Sequence, residues 1–277
     1  MSDSRPEISR SIQTGSFNTN YHDYGSGEAV LLIHGSGPGV SAWANWQKIL
    51  PTLSAQRRVL APDMVGFGYS DRPAGLTYNM EVWTQQVIDF LDALQLDQVD
   101  LVGNSFGGAL ALSLAIEHPQ RIRKLVLMGS MGVNFTLQPD DGLDAVWGYT
   151  PSLENMRKLI KLFAWNPQLQ NDENLARMRY EGSLQPGFQE SFGSMFPAPR
   201  QRWVAAMAKH EAQIPDIQQP TLVICGREDR VIPMETSLKI FSLIANAQLH
   251  IFGHCGHWTQ IEQTDRFVQL VENFLAE

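Results

Sequence analysis

A serine flanked by glycines, in the pentapeptide Gly-Asn-Ser-Phe-Gly at residues 103–107, could supply a nucleophile. The pentapeptide follows an apolar run at residues 99–102 and precedes a helical pattern at residues 108–118. A G-x-S-x-G sequence between a strand and a helix is typical of a sharp turn that strains the serine backbone and exposes its hydroxyl above the sheet. Glycines flank such a serine because side chains there would collide with the neighbouring strand or helix. We therefore predict that Ser105 is a catalytic nucleophile.

A serine hydroxyl needs a base within hydrogen-bond reach, and that base needs an acid to orient it. At a strand–turn–helix nucleophile, the acid and then the base follow the serine along the chain. Asp229 comes shortly after an apolar run at residues 221–225 and is the predicted acid. Two other carboxylates compete for this role: Glu228, which points elsewhere if Asp229 faces the site, and Asp216, which precedes the strand.

The base is expected in the loop after the last predicted strand, residues 248–252. Two of the seven histidines, His254 and His257, lie in that loop. Gly256 gives the backbone room to turn the His257 ring inward, so we predict that His257 is the base. The two histidines and Cys255 could also suggest zinc, but no further ligand cluster accompanies them. We predict no metal and no cofactor.

A second glycine-rich segment, His-Gly-Ser-Gly-Pro-Gly at residues 34–39, follows the apolar run at residues 29–33. The oxyanion of a tetrahedral intermediate must meet backbone N–H donors that are already in place, and a loop of this kind supplies one of them. We predict that the N–H groups of Ser36 and Phe106 form the oxyanion hole. A phosphate-binding loop is less well supported, because its lysine and hydroxyl pair is missing.

Short apolar strands alternate with helices along much of the chain. Predicted strands cover residues 18–24, 29–33, 58–61, 99–102, 124–128, 221–225 and 248–252, and further helices cover residues 79–94, 234–244 and 265–275. Gly25-Ser26-Gly27 indicates a hairpin turn between the first two strands. Buried strands that alternate with helices favour a mostly parallel sheet with right-handed crossovers. The predicted fold class is therefore α/β.

One interval, residues 131–217, breaks this alternation with helical patches and no convincing strand. The patches lie at residues 153–163, 173–180 and 201–211. An insertion of this size, at the sheet edge where active-site loops project, is typical of a lid, although helices that only cover the surface are the alternative. We predict an α/β core formed by residues 1–130 and 218–277, with a helical lid inserted at residues 131–217.

The composition excludes several classes of partner. The 277-residue chain has a formal net charge of −8, which argues against binding to nucleic acid or to an anionic membrane. No segment approaches the roughly 18 to 20 apolar residues of a membrane span, and residues 1–10 lack the apolar core of a signal peptide. Cys225 and Cys255 are too few for a disulfide framework. We expect a cytoplasmic protein whose partner is a small molecule.

These motifs together resemble the α/β-hydrolase superfamily over essentially the whole chain. More closely, they resemble the meta-cleavage-product hydrolases, which hydrolyse carbon–carbon bonds in bacterial degradation of aromatic compounds. The resemblance rests on residues 34–39 with Asn45, on residues 103–108, on residues 179–181 and on residues 256–258. It implies an eight-stranded sheet and a homo-oligomer, dimeric or larger.

The resemblance also implies a 2-hydroxy-6-oxo-2,4-dienoate substrate, whose carboxylate and 2-oxygen need fixed polar partners. Arg179 offers a planar, permanently charged fork that suits a carboxylate. Asn45 and Asn104 offer amide donors, and the indole N–H of Trp258 completes the predicted polar end. The alternatives are that Arg179 is a solvated surface cation and that Trp258 only packs in the core.

Residues 147–152 and 185–192 resemble the branch that acts on monocyclic products with small substituents, such as 2-hydroxymuconate semialdehyde or 2-hydroxy-6-oxohepta-2,4-dienoate. The expected products are 2-hydroxypenta-2,4-dienoate and a small carboxylic acid. Phe135, Trp147 and Phe163 are candidates for lining the end of the pocket that holds the C6 substituent. Two alternatives stay open: a carboxylesterase that uses the same triad, and a ligand receptor without catalysis. A neutral ester needs no carboxylate clamp, so Arg179 favours the dienoate.

Overall fold

The computed structural model describes residues 5–277, in which one eight-stranded sheet carries helices on both faces. The strands are β1 Arg10–Thr14, β2 Phe17–Tyr24, β3 Ala29–Ile33, β4 Arg58–Pro62, β5 Val99–Asn104, β6 Ile122–Met128, β7 Thr221–Gly226 and β8 Ala247–Phe252. Their order is β1-β2-β4-β3-β5-β6-β7-β8. β1, β2 and β4 pair antiparallel, and all pairs from β4 to β8 are parallel. The predicted eight-stranded, mostly parallel α/β sheet is confirmed.

Each face of the sheet has its own apolar core, covered by helices. The helices are α1 Ala42–Trp46, α2 Leu50–Leu53, α3 Met80–Ala93, α4 Phe106–Glu117, α5 Gly142–Trp147, α6 Leu153–Phe163, α7 Pro167–Gln170, α8 Glu173–Ser183, α9 Phe188–Met195, α10 Gln201–Met207, α11 Met234–Leu243, α12 Thr259–Glu262 and α13 Thr264–Ala276. Strands β3 and β5 are buried over their full length, which explains why β3 is continuously apolar. Helix α4 is buried from Phe106 to Ala115, so it is apolar on every face.

The edge of the sheet differs from the prediction in two ways. Strand β1 was not predicted, because its mostly exposed and polar residues leave no apolar run in the sequence. The hairpin predicted at Gly25-Ser26-Gly27 is wrong, since β4 lies between β2 and β3. The hairpin at this edge is instead formed by β1 and β2.

Side-chain caps explain where several helices begin. The side chain of Asn79 accepts a hydrogen bond from the Val82 N–H, directly before α3. Ser152 caps α6 in the same way, and Asp172 caps α8. Each cap satisfies backbone donors that have no partner inside the helix, so these polar residues set the first turn.

Six helices, α5 to α10, lie between β6 and β7. Helix α6 matches the predicted patch at residues 153–163. Helix α8 runs to Ser183, past the predicted end at residue 180. Helix α10 ends at Met207, short of the predicted residue 211, where a 3-10 turn at Glu211–Asp216 begins. Apolar side chains from this segment, among them Leu143, Trp147 and Phe163, share one core with the sheet. We call residues 131–217 the insertion. Its role as a lid and the domain boundaries at residues 130 and 218 stay predictions.

None of the helices within residues 5–277 is both long and apolar enough to cross a membrane. The cytoplasmic location and the homo-oligomer stay predictions.

Candidate active site

Ser105 occupies a strained turn between β5 and α4. Its φ of 55° and ψ of −113° lie outside the regions that an L-residue favours, which costs about 1 to 3 kcal/mol in typical cases. A side chain at either flanking glycine would be impossible: a Cβ on Gly103 would lie 2.3 Å from the Gly107 oxygen, and one on Gly107 would lie 2.3 Å from the Ile33 oxygen. The glycines therefore let α4 approach β5 and β3 closely enough to form the predicted elbow.

Asp229 and His257 form a buried pair beside this turn. The Asp229 Oδ2 atom lies 2.7 Å from His257 Nδ1, and both side chains are almost fully buried. The backbone N–H groups of Val231 and Ile232 donate to Asp229 Oδ1 at 2.8 and 2.9 Å, which fixes the carboxylate. A carboxylate can only accept, so the proton of the imidazole lies on Nδ1 and Nε2 is left to act as the base.

Ser105 and His257 line the same cavity, although no hydrogen bond between Ser105 Oγ and the His257 ring forms within the described chain. Such contacts are often long in ligand-free enzymes and tighten when substrate binds. His254 is exposed, has a φ of 54° and does not line this cavity. The geometry thus brings His257, rather than His254, to the predicted nucleophile.

Gly256 has a different role from the one we expected. A Cβ there would lie 2.6 Å from the Phe163 backbone oxygen and 3.0 Å from the Trp165 nitrogen. The glycine is therefore required because the backbone of the insertion packs against the loop that carries His257, and not because it frees that loop to turn.

The glycine-rich loop at residues 34–39 passes directly over the nucleophile. A Cβ on Gly35 would lie 3.5 Å from the Ser105 Cβ. His34 anchors the loop: its buried ring accepts the Met64 N–H at 3.0 Å and contacts the Gly35 oxygen at 2.7 Å. Burial lowers the pKa of His34 to about 4, so it stays neutral at physiological pH.

The two predicted oxyanion donors are both free of other bonds. Within residues 5–277, neither the Ser36 N–H nor the Phe106 N–H donates to another protein group. The Ser36 hydroxyl accepts the indole N–H of Trp147 at 3.1 Å, which holds this residue against the insertion. Unpaired N–H groups beside the nucleophile can receive a developing oxyanion, and the oxyanion hole stays a prediction.

Arg179 is a buried cation that lacks a counter-ion. It is only 4% exposed, and no carboxylate of the described chain forms an ion pair with it. Its Nε atom has no hydrogen-bond partner among residues 5–277. Burial lowers the pKa of Arg179 to about 10, so the side chain stays protonated at neutral pH. Its burial at the cavity argues against the alternative of a solvated surface cation.

The other residues of the predicted polar end also face the cavity. Asn45, Asn104 and Trp258 line it together with Arg179. The Asn45 Nδ2 atom is buried and has no partner within the described residues, whereas Asn104 Nδ2 donates to the Met128 oxygen at 3.3 Å. The Arg179 guanidinium lies 5.5 Å from the centre of the Trp258 ring, within cation–π distance.

The apolar wall of the cavity comes mostly from residues that we did not predict. It is formed by Val40, by Leu143 and Val146 of α5, and by Val231. Of the predicted aromatic candidates, Phe163 lines the cavity, but Phe135 lies at a separate surface cleft. The sequence signal for this wall was the spacing of Leu143 and Val146, which places both on one face of a short helix. Only the fold shows that this face borders the cavity.

This cavity is small in the present conformation. Its volume is about 10 Å³, enough for a single water molecule. A dienoate is larger than this space, so side chains that line the cavity must move before it can enter.

The fold and this geometry match known proteins along nearly the whole chain. Residues 28–264 match the family described as the α/β hydrolase fold. The chain is 58% identical over 272 residues to the 2-hydroxymuconate semialdehyde hydrolase of Pseudomonas sp. (strain CF600), covering 98% of this chain and 95% of that protein. It is 58% identical over 276 residues to the 2-hydroxy-6-oxo-2,4-heptadienoate hydrolase of Pseudomonas putida, covering 100% and 99%.

Solved structures similar to this chain include a meta-cleavage product hydrolase. A mutant of the meta-cleavage product hydrolase from Pseudomonas fluorescens IP01, complexed with acetates, superposes with a TM-score of 0.95 at 53% identity over 98% of both chains. The chain belongs to the meta-cleavage product hydrolases, within the α/β-hydrolase family. The resemblance predicted from the sequence is confirmed.

The cysteines of this meta-cleavage product hydrolase are poorly suited to nucleophilic chemistry. Cys225 and Cys255 are both buried and unbridged. Burial raises the pKa of both thiols, that of Cys225 to about 11, which disfavours the reactive thiolate. Ser105 is thus the better placed nucleophile. Among residues 5–277, no cluster of three or more His, Cys, Asp or Glu side chains could hold a metal ion.

Proposed function

We propose that this hydrolase cleaves the C5–C6 bond of 2-hydroxy-6-oxo-2,4-dienoates that carry hydrogen or a small alkyl group at C6. Its relatives at 58% identity are named for a 2-hydroxymuconate semialdehyde and for a 2-hydroxy-6-oxo-2,4-heptadienoate. The observation that carries the proposal is the buried Arg179, which lacks a counter-ion within the described chain and lines the same cavity as Ser105 and His257. The products are 2-hydroxypenta-2,4-dienoate and a small carboxylic acid.

The unpaired charge of Arg179 selects an anionic ligand. A buried charge costs free energy unless it is paired and hydrogen-bonded, and this guanidinium is buried with no carboxylate partner among residues 5–277. A substrate carboxylate would supply the missing charge and accept two parallel N–H bonds. The buried Nδ2 of Asn45, which has no partner among residues 5–277, adds a neutral donor in the same cavity. A neutral ester would leave Arg179 unpaired, so these contacts favour the dienoate over a carboxylesterase substrate.

The reaction itself needs an oxygen nucleophile and a place for an electron pair. Ketonisation first moves the proton of the 2-hydroxyl group to C5. His257 then activates an oxygen nucleophile, which is Ser105 in an acyl-enzyme route or water in a direct route, and this oxygen adds to C6. The C5–C6 bond breaks, and its electron pair passes through C4 and C3 to the 2-oxygen. In sum, water supplies a hydroxyl group to C6 and a proton to the dienolate.

Each of the proposed residues has its own role in this reaction. The N–H groups of Ser36 and Phe106 stabilise the oxyanion that forms on the C6 carbonyl oxygen. Asp229 holds the His257 ring and stabilises its protonated form. Leu143, Val146 and Val231 form an apolar wall that suits a C6 substituent. The preference for a hydrogen or small alkyl group over a phenyl ring rests on the relatives at 58% identity, which are named for substrates with hydrogen or methyl at C6.

Replacing Arg179 tests the assignment of the substrate. We expect R179Q to lower kcat/KM for 2-hydroxy-6-oxo-2,4-heptadienoate by about 30-fold or more, since deleting one partner of a buried charge pair typically costs about 2 to 5 kcal/mol. Hydrolysis of p-nitrophenyl acetate, which has no carboxylate, should change far less. Both rates are read by absorbance.

The matched control is R177Q, two residues earlier on α8. Arg177 is 58% exposed and pairs with Glu173, so its loss should leave both activities nearly unchanged. Equal losses on both substrates in R179Q would indicate general damage to the insertion. An unaltered rate on the dienoate would exclude Arg179 as the carboxylate anchor.

A further inference from the structure

Glu262, at the end of α12, joins the insertion to the loop that carries His257. Its Oε1 atom accepts the Gly256 N–H at 2.8 Å. Its Oε2 atom accepts the N–H groups of Trp165 and Asn166, at 2.9 and 2.7 Å. All three donors are backbone groups, so this carboxylate fixes the path of two chain segments relative to each other.

A second set of contacts reinforces the same junction. The His257 N–H donates to the Phe163 backbone oxygen at 2.7 Å. The Phe163 ring stacks on the Trp258 ring, with their centres 4.5 Å apart. Residues 163–166 of the insertion therefore contact residues 256–258 through backbone bonds, ring stacking and the Glu262 carboxylate.

The same segment leads to Arg179. Residues 163–166 begin at the last residue of α6, and α6 packs against α8, the helix that carries Arg179. On the side of the cavity, the Arg179 guanidinium faces the Trp258 ring on which Phe163 stacks. A shift of residues 163–166 would therefore change the position of Arg179 relative to His257.

We propose that Glu262 is a positioning residue that holds Arg179 in register with His257, so that a carboxylate bound at Arg179 places the C6 carbon at Ser105. This inference rests on the proposed function, because it requires a substrate that is anchored at Arg179. Glu262 does not line the cavity and acts through the backbone that it binds. A carboxylate suits this role because three N–H donors converge on its two oxygens, whereas an amide has only one acceptor oxygen.

The substitution E262Q tests this role with two substrates. We expect kcat/KM for 2-hydroxy-6-oxo-2,4-heptadienoate to fall by about 10- to 100-fold, since a displacement of about 1 Å at a reacting centre can cost as much. Hydrolysis of p-nitrophenyl acetate depends on Ser105 and His257 but not on Arg179, so it should stay within about twofold. The ratio of the two activities is the readout, because a purely structural role would lower both together.

E228Q is the matched control. Glu228 accepts the Cys255 N–H at 2.9 Å, in the same loop, but it forms no hydrogen bond to the insertion within the described chain. Its loss should leave the ratio of the two activities unchanged. If E262Q does not give a folded protein by circular dichroism, E262D, whose shorter side chain cannot reach both segments, is assessed by the same ratio.

Equal losses on both substrates, or no loss on either, would overturn the inference. R179Q, assayed beside E262Q, separates this failure from that of the proposed function. If R179Q changes the ratio and E262Q does not, only the role of Glu262 is wrong. If R179Q leaves the rate on the dienoate unchanged, the anchor itself is wrong.

Discussion

Replacing Ser105 with alanine should abolish turnover of the dienoate almost completely, with a loss in kcat on the order of 10⁴- to 10⁶-fold, as when a triad nucleophile is removed elsewhere. The expectation follows from the strained turn that presents this serine to the cavity, beside the free N–H groups of Ser36 and Phe106. Binding should survive, since Arg179 and Asn45 remain. The decay of the dienoate absorbance gives kcat, and titration of the alanine variant with substrate gives the dissociation constant.

S113A is the control for this substitution. Ser113 is also buried and also belongs to α4, but it does not line the cavity. Its replacement should leave kcat within a few-fold of the parent protein. Retention of more than about a tenth of the activity in S105A would exclude Ser105 as nucleophile or as a direct participant in the reaction.

Removing the His257 ring should be nearly as damaging. We expect H257A to lower kcat by at least about 10³-fold, because the serine or the water then has no base to accept its proton. The Asp229 carboxylate would also be left buried without its partner, so a melting curve must accompany the kinetics.

H254A provides the comparison within the same loop. His254 is exposed, and its ring lies outside the cavity, so its loss should leave kcat nearly unchanged. Near-normal activity of H257A, or a complete loss that occurs only in H254A, would reverse the assignment of the base.

The elements that could be predicted from the sequence are those set by short-range constraints. The turn at Ser105 is specified by local sterics, because Gly103 and Gly107 leave room that no other residue allows. The acid and the base could be placed because both follow strands of a parallel sheet, whose carboxyl ends share one edge. Arg179 and Asn45 came from the family resemblance, and the structure brings them into the same cavity as Ser105.

What escaped prediction depends on contacts between distant segments. Strand β1 is polar and is defined by its pairing with β2, so the sequence carries no apolar pattern for it. The wall formed by Leu143, Val146 and Val231 requires knowledge of how α5 packs over the sheet. Glu262 looks like an ordinary surface carboxylate until the insertion places two backbone N–H groups against it.

The most direct test of the central claim is kcat/KM for 2-hydroxy-6-oxo-2,4-heptadienoate, with the products identified and the phenyl-substituted dienoate measured beside it. We predict equal amounts of acetate and 2-hydroxypenta-2,4-dienoate and a clear preference for the methyl substrate. One methylene changes discrimination by only about 1 to 3 kcal/mol, so hydrogen, methyl and isopropyl should form a graded series while the phenyl group is disfavoured more steeply. Failure to cleave the C5–C6 bond of the methyl substrate would contradict the proposed function. Cleavage of the phenyl-substituted dienoate with equal efficiency would contradict the preference for small substituents.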